Sequence, residues 1–252
     1  MGKLARMVWS IAAVMIVLSP AAAGAAPTLL ERTGENSIPG ALAVDSSGNV
    51  FVAIVDSVSA KIAIFTPTFW VPDWALPSNG RSALVVAPGG AVFAGAASGG
   101  SPSQTIEAFT GGGRPALTYS VGYDGVYENG LAVDAGGNLW WAGWVSKKIG
   151  RIPTGTASGP APTPLTISES PCALAVDAAG DVYVGTTNGK VLKYEASGFG
   201  ASSLPVATYN VSTASPRCAI AVDAAYVYFG GAPISGDGFV DRIPIATGIT
   251  AY

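Results

Sequence analysis

The chain has 252 residues, with 13 basic and 16 acidic side chains, 33 glycines, 18 prolines, two cysteines and no histidine. A net charge of −3, with no basic run longer than Lys147-Lys148, excludes the Lys/Arg-rich patch that nucleic acid or an anionic lipid surface demands. Without histidine, Ser-His-Asp and Cys-His catalysis are excluded and the usual zinc ligand is missing.

Residues 1–25 have the layout of a signal peptide. Lys3 and Arg6 precede an apolar run from Met7 to Leu18, and small residues follow to Ala23-Gly24-Ala25, an A-x-A cleavage site. The apolar run is short of the about 20 residues needed to span a bilayer. The expectation is export, to a secreted or periplasmic location, with no membrane attachment after cleavage.

Beyond the leader one phrase recurs five times: "PGALAVDSSGNVFVA" from Pro39, "GRSALVVAPGGAVFAG" from Gly80, "NGLAVDAGGNLWWAG" from Asn129, "PCALAVDAAGDVYVG" from Pro171 and "RCAIAVDAAYVYFGG" from Arg217. Each reads as a small-residue strand, a turn and a second apolar strand. A third run follows ("KIAIFTP", "TIEAFT", "KIGRIPTG", "KVLKYEA", "FVDRIPIA"), then a less regular fourth ("ALTYSVG", "PLTISES", "PVATYNV"). A period of about 45 residues with four strands per unit predicts an all-β fold, a single-domain β-propeller of five four-stranded blades. A six-bladed variant is the alternative. The domain spans 26–252, with blade cores at about 38–76, 80–122, 129–168, 171–210 and 217–252. Residues 28–34, "TLLERTG", are expected to close the ring as the outer strand of the last blade, with "GITAY" at 248–252 competing for that place.

Two columns recur with the repeat. Phe51, Phe93, Trp140, Tyr183 and Tyr228 hold one position in the second strand, as expected of wedges between neighbouring blades. Asp45, Asp134, Asp177 and Asp223 end the first strand, with Ala87 in the second copy; a carboxylate there is expected to accept N–H groups of the following turn. Trp70 and Trp74 read either as an outer strand packed on its neighbour or as an exposed contact surface. Cys172 and Cys218 hold equivalent positions in adjacent blades, and in an exported chain they are expected to pair as a disulfide.

"ALAVDAAGDVYVG" followed by "GKVLKY" resembles the NHL repeat, and "GLAVDAGGNLWWAGWVSKKIGRIPTGT" is similar to a blade of the streptogramin B lyase group of propellers. The resemblance covers all five repeats and implies the propeller fold. Those lyases look like six- or seven-bladed rings that use a histidine base with Glu and a divalent metal. This chain has no histidine, and Trp144 stands where the lyase pattern has an acid. Gluconolactonase-type propellers hold their metal through Glu, Asn and Asp, so they need no histidine.

The richest loops lie around the third blade, "GYDGVYENG" and "AGWVSKK". Tyr123, Asp124, Tyr127, Glu128, Trp144 and Lys147 are the ligand-binding candidates, because aromatics beside an acid and a base suit a sugar, peptide or protein. No catalytic or metal-ligating set emerges, and no cofactor is expected. The reading is therefore a monomeric, exported, non-enzymatic binding module for a protein or glycan. The competing reading is a Ca- or Mg-dependent lactonase or lyase built around Glu128.

Overall fold

In the structure, a computed structural model, the residues described are 16–17, 28–29, 38–55, 60–66, 70–76, 83–95, 105–111, 114–122, 126–211, 217–232 and 237–247. They are all-β, with one 3-10 turn at Ile245–Thr247 and no α-helix. Two short strands, β1 (Ile16–Val17) and β2 (Thr28–Leu29), pair antiparallel with each other. Then come the five blades of a β-propeller. Blade one is β3 (Ile38–Val44), β4 (Val50–Val55), β5 (Ala60–Phe65) and β6 (Trp70–Leu76). Blade two is β7 (Ala83–Val86), β8 (Val92–Gly95), β9 (Thr105–Phe109) and β10 (Pro115–Ser120).

Blade three is β11 (Val126–Val133), β12 (Leu139–Gly143) and β13 (Lys148–Ile152), then, after a short β14 (Gly159–Pro160), β15 (Leu165–Thr166). Blade four is β16 (Pro171–Val176), β17 (Val182–Thr186), β18 (Lys190–Tyr194) and β19 (Ala207–Asn210). Blade five has three described strands, β20 (Arg217–Val222), β21 (Tyr226–Ala232) and β22 (Phe239–Pro244). Of the segment expected to close the ring, Thr28–Leu29 pairs with Ile16–Val17; residues 30–34 and 248–252 lie outside those described.

Within each blade successive strands are antiparallel neighbours, so the chain turns back at the same two ends every time. One end carries the first-to-second and third-to-fourth strand turns (the turn end). The other carries the second-to-third turns and the links to the next blade (the loop end). Inner strands pack in series, β3 on β7, β7 on β11, β11 on β16 and β16 on β20. β14 crosses to run parallel with β10 of the preceding blade, Tyr119 opposite Gly159. The Tyr119 hydroxyl adds a bond to the Thr156 carbonyl at 3.0 Å.

Strand alternation gives each blade two apolar faces, because successive side chains point to opposite sides. Trp140 packs with Leu174, Val182, Val184 and Leu192 of blade four. Tyr183 packs with Cys218, Val227 and Phe229 of blade five. Phe93 meets Leu131, Leu139 and Trp141 of blade three, and Phe51 meets Leu84, Val92 and Phe109 of blade two. Four of the five expected wedges are therefore wedges. Tyr228 is the exception, because it is only half-buried. Trp74 stacks on Phe109 at 5.4 Å between centroids, so that tryptophan packs on its neighbour. The Cys172–Cys218 disulfide joins the inner strands of blades four and five, with a Cα–Cα distance of 5.6 Å. It fits an oxidising compartment.

Candidate functional site

The loop end of blade three carries two of the sequence candidates. The turn Trp144–Lys147 joins β12 to β13. Lys147 sits at φ 55°, a left-handed conformation that a non-glycine residue adopts only when its surroundings hold it. Two bonds do so here. The Lys147 carbonyl accepts the Ile167 N–H at 2.8 Å, and its ammonium donates to the Ser168 carbonyl at 2.9 Å. The turn is thereby fastened to the link that leaves blade three.

That link contributes the charge. The Ser168 hydroxyl donates to Glu169, and Lys190 at the start of β18 meets the other Glu169 oxygen at 3.2 Å. Burial alone would raise the Glu169 carboxyl, but the Ser168 hydroxyl and the Lys190 ammonium outweigh it and hold the group below its ordinary value. From this ion pair a cleft of about 240 Å³ runs along β18 toward the turn end, between β15 and the outer strands of blade four, past Thr166, Thr208, Tyr194 and Leu204. Burial, with the Glu169 charge second, pushes the Tyr194 phenol up to about 12, so it is neutral and available as a hydrogen-bonding group. Leu204, on the cleft lining toward the turn end, is 81% exposed, and Val145, in the Trp144–Lys147 turn at the loop end, is 69% exposed.

Of the sequence candidates, Trp144 and Lys147 share this turn. β11 begins beside it, with Val126 opposite Gly143, so the backbone of Tyr127 and Glu128 starts at the same end. The side chains of those two, and all of Tyr123 and Asp124, lie outside the described residues. Ser168, Glu169 and Lys190 were missed by the sequence reading. Their only signal was an acid in the "ISES" link and a lysine after the "NG" turn, 21 residues apart, and nothing in the linear pattern says that the two meet.

The strand-ending carboxylates are framework. Asp45 accepts the Ser47 and Asn49 N–H groups, each at 2.9 Å, and Asp177 accepts those of Ala179 and Asp181 at 2.9 and 3.0 Å. In blades three to five the second oxygen accepts a hydrogen bond from the ring of the aromatic column: Trp140 to Asp134 at 3.3 Å, Tyr183 to Asp177 at 3.2 Å, Tyr228 to Asp223 at 2.9 Å. A cation faces the rings of blades three and four, Arg151 over Trp140 at 5.4 Å and Lys193 over Tyr183 at 5.3 Å. Blade two has Ala87, Phe93 and Ala108 instead. There a second cleft, about 300 Å³, opens at the turn end against blade three, with Pro88, Leu117 and Leu139 in its apolar lining.

Three solved structures have a similar fold. One is virginiamycin B lyase from Staphylococcus aureus, at 15% identity over 82% of this chain and 70% of that one, TM-score 0.59. Another is a catalytically inactive histidine-to-alanine variant of that lyase with quinupristin, at 15% identity over 84% and 72%, TM-score 0.60. The third is a streptogramin B lyase, at 14% identity over 83% and 70%, TM-score 0.60. The likeness is one of fold. No protein-family model and no curated protein matches the chain. The residues present do not fit a histidine-bearing lyase site, since this chain contains no histidine. Among the described residues no three Cys, Asp or Glu side chains gather as a metal would need.

Proposed function

We propose that this chain is an exported, NHL-like propeller that binds a protein or glycan ligand without turning it over. Its ligand lies over blades three and four, from the Trp144–Lys147 turn at the loop end along the cleft that starts at the Glu169–Lys190 pair. The observation that carries this reading is the absence of histidine from a fold whose solved likeness is inactivated by losing one. What the site offers instead suits recognition. It has a fixed ion pair, hydroxyls from Ser168 and Thr208, a neutral phenol and the bare apolar side chain of Leu204 along one cleft. Such a mixture of apolar surface and a few oriented polar groups is what ligand sites use for orientation and specificity.

The competing reading, a Ca- or Mg-dependent lactonase or lyase around Glu128, draws on the same fold likeness. One experiment separates them. The purified protein is incubated with quinupristin and with simple lactones, with and without Ca²⁺ or Mg²⁺, and products are followed by mass spectrometry. No product is expected, and metal-dependent turnover of either substrate would overturn the binding-module reading. The site itself is tested by calorimetric titration against a panel of soluble oligosaccharides and peptides. Any ligand found should lose at least tenfold in affinity with Glu169→Gln and Lys190→Met, and a ligand indifferent to both would place the site elsewhere.

A further inference from the structure

The blade interfaces repeat one pattern, and its two halves are left over at the ends of the series. A ring on the second strand of one blade enters a socket on the next, floored by a Leu and a Val of the inner strand: Leu84 and Val86, Leu131 and Val133, Leu174 and Val176. The three leucines are 7%, 7% and 6% exposed, whereas Leu42, the same position in blade one, is 46% exposed and Val44 beside it 50%. Farther out on that face Val50 and Val52 are buried, so the bare part of the socket is its inner-strand floor.

Blade five presents the counterpart. Trp140 and Tyr183 are 0% exposed in their interfaces, but Tyr228 is only half-buried. The register puts it across from Ala221 and Arg242, on one face with Tyr226, and Val240 on that face is 75% exposed. Thus three of the five bare large apolar side chains among the described residues, Leu42, Val44 and Val240, lie on these two faces. Within one chain β20 and β3 are not among the strand pairs in extended contact, whereas each of the other inner strands packs broadly on its successor.

We propose that the two faces are halves of one interface between copies of this chain, with blade five of one copy seating Tyr228 and Val240 on the Leu42–Val44 floor of blade one of the next. The occupant is a second copy because wedge and socket already recur at four interfaces of the same chain, with a Leu–Val floor in three and an Ile220–Val222 floor in the fourth. Such a contact is heterologous: it joins unlike faces and leaves one of each free to continue. Association of this kind also covers apolar surface that otherwise invites nonspecific contact. It is independent of the ligand site proposed above, which lies over other blades.

The test is sedimentation velocity of the purified protein over a wide concentration range. The wild type should grow to dimers and longer species as concentration rises; a monomer throughout, as when undescribed segments or another partner cover the faces, overturns the proposal. Val240→Glu damages only the blade-five face and Leu42→Glu only the blade-one face. Each alone should be monomeric at every concentration, and an equimolar mixture should form a dimer and nothing larger. A symmetric contact would not be rescued by mixing, so failure of the mixture overturns the head-to-tail arrangement. Should either glutamate variant melt early, Val240→Ser and Leu42→Ser carry the same test with smaller perturbation.

Discussion

Trp140 donates its indole N–H to Asp134, and Asp134 at the same time accepts the backbone and side-chain N–H groups of Asn138 at 2.9 and 2.8–3.0 Å. One carboxylate therefore fixes the turn after the inner strand and the ring that fills the next interface. Arg151 stands 3.8 Å away. Replacing Asp134 with Ala should cost about 1–3 kcal/mol, since it strands several donors beside a buried ring. Asp45→Ala should cost less, about 0.5–1.5 kcal/mol, because Phe51 offers its carboxylate no polar group. Urea midpoints of the two variants check the difference, and equal losses would mean that tethering the ring contributes nothing.

The pH profile follows from the same groups. For Asp134, burial works to raise the carboxyl, but the Asn138, Trp140 and Arg151 contacts outweigh it, and its folded-state pKa lies below the ordinary value. Glu169 is lowered in the same way. A carboxyl with a depressed folded pKa contributes stability that is present above its unfolded pKa, about 4, and is lost as pH falls through the folded one. The urea midpoint should accordingly be level from neutral down to about pH 5 and drop below about pH 4. Asp134→Asn should flatten the drop; an unchanged acid limb in that variant would remove Asp134 from the account.

The fold was legible because each level of the sequence repeats the same instruction. Strand alternation, the Gly turn and one ring per copy all point to the same blade, and the cysteines at equivalent sites of adjacent inner strands do pair. The ends of the series were not legible. Tyr228 and Leu42 read like their buried counterparts, because a repeat does not say how deeply each of its copies is covered. The site was legible only where it is local. Trp144 and Lys147 share one turn, whereas Glu169 and Lys190 meet through packing of one blade on the next.

The disulfide ties blade four to blade five at their inner strands, closing a loop of 46 residues. In the chain-entropy model a loop of that size contributes about 4 kcal/mol. Cys172→Ser with Cys218→Ser should lower the urea midpoint by a corresponding amount. Hydrogen exchange should then rise first in β20 to β22, which otherwise hold to blade four through the cluster around Phe229 and Tyr209. Uniform loosening of all five blades would show that the bond supports the whole ring rather than this junction.

Size is traded across the strand pair β12–β13. Trp141 faces Gly150, and a Cβ built on Gly150 would come within 2.4 Å of the Trp141 indole nitrogen and 2.5 Å of its Cε2. In blade four the same positions are Val184 and Leu192, a smaller side chain opposite a larger one. The indole, 1% exposed, can lie flat on β13 only because its partner has no side chain. Gly150→Ala should therefore cost about 1–3 kcal/mol by overpacking, and Gly150→Leu more. Combining Gly150→Leu with Trp141→Val recreates the blade-four pairing, so the double variant should be more stable than Gly150→Leu alone. A double-mutant cycle in urea should give a favourable coupling of about 1–3 kcal/mol. Additive losses would mean that Trp141 moves aside at no cost, and the size trade would not be what holds this blade together.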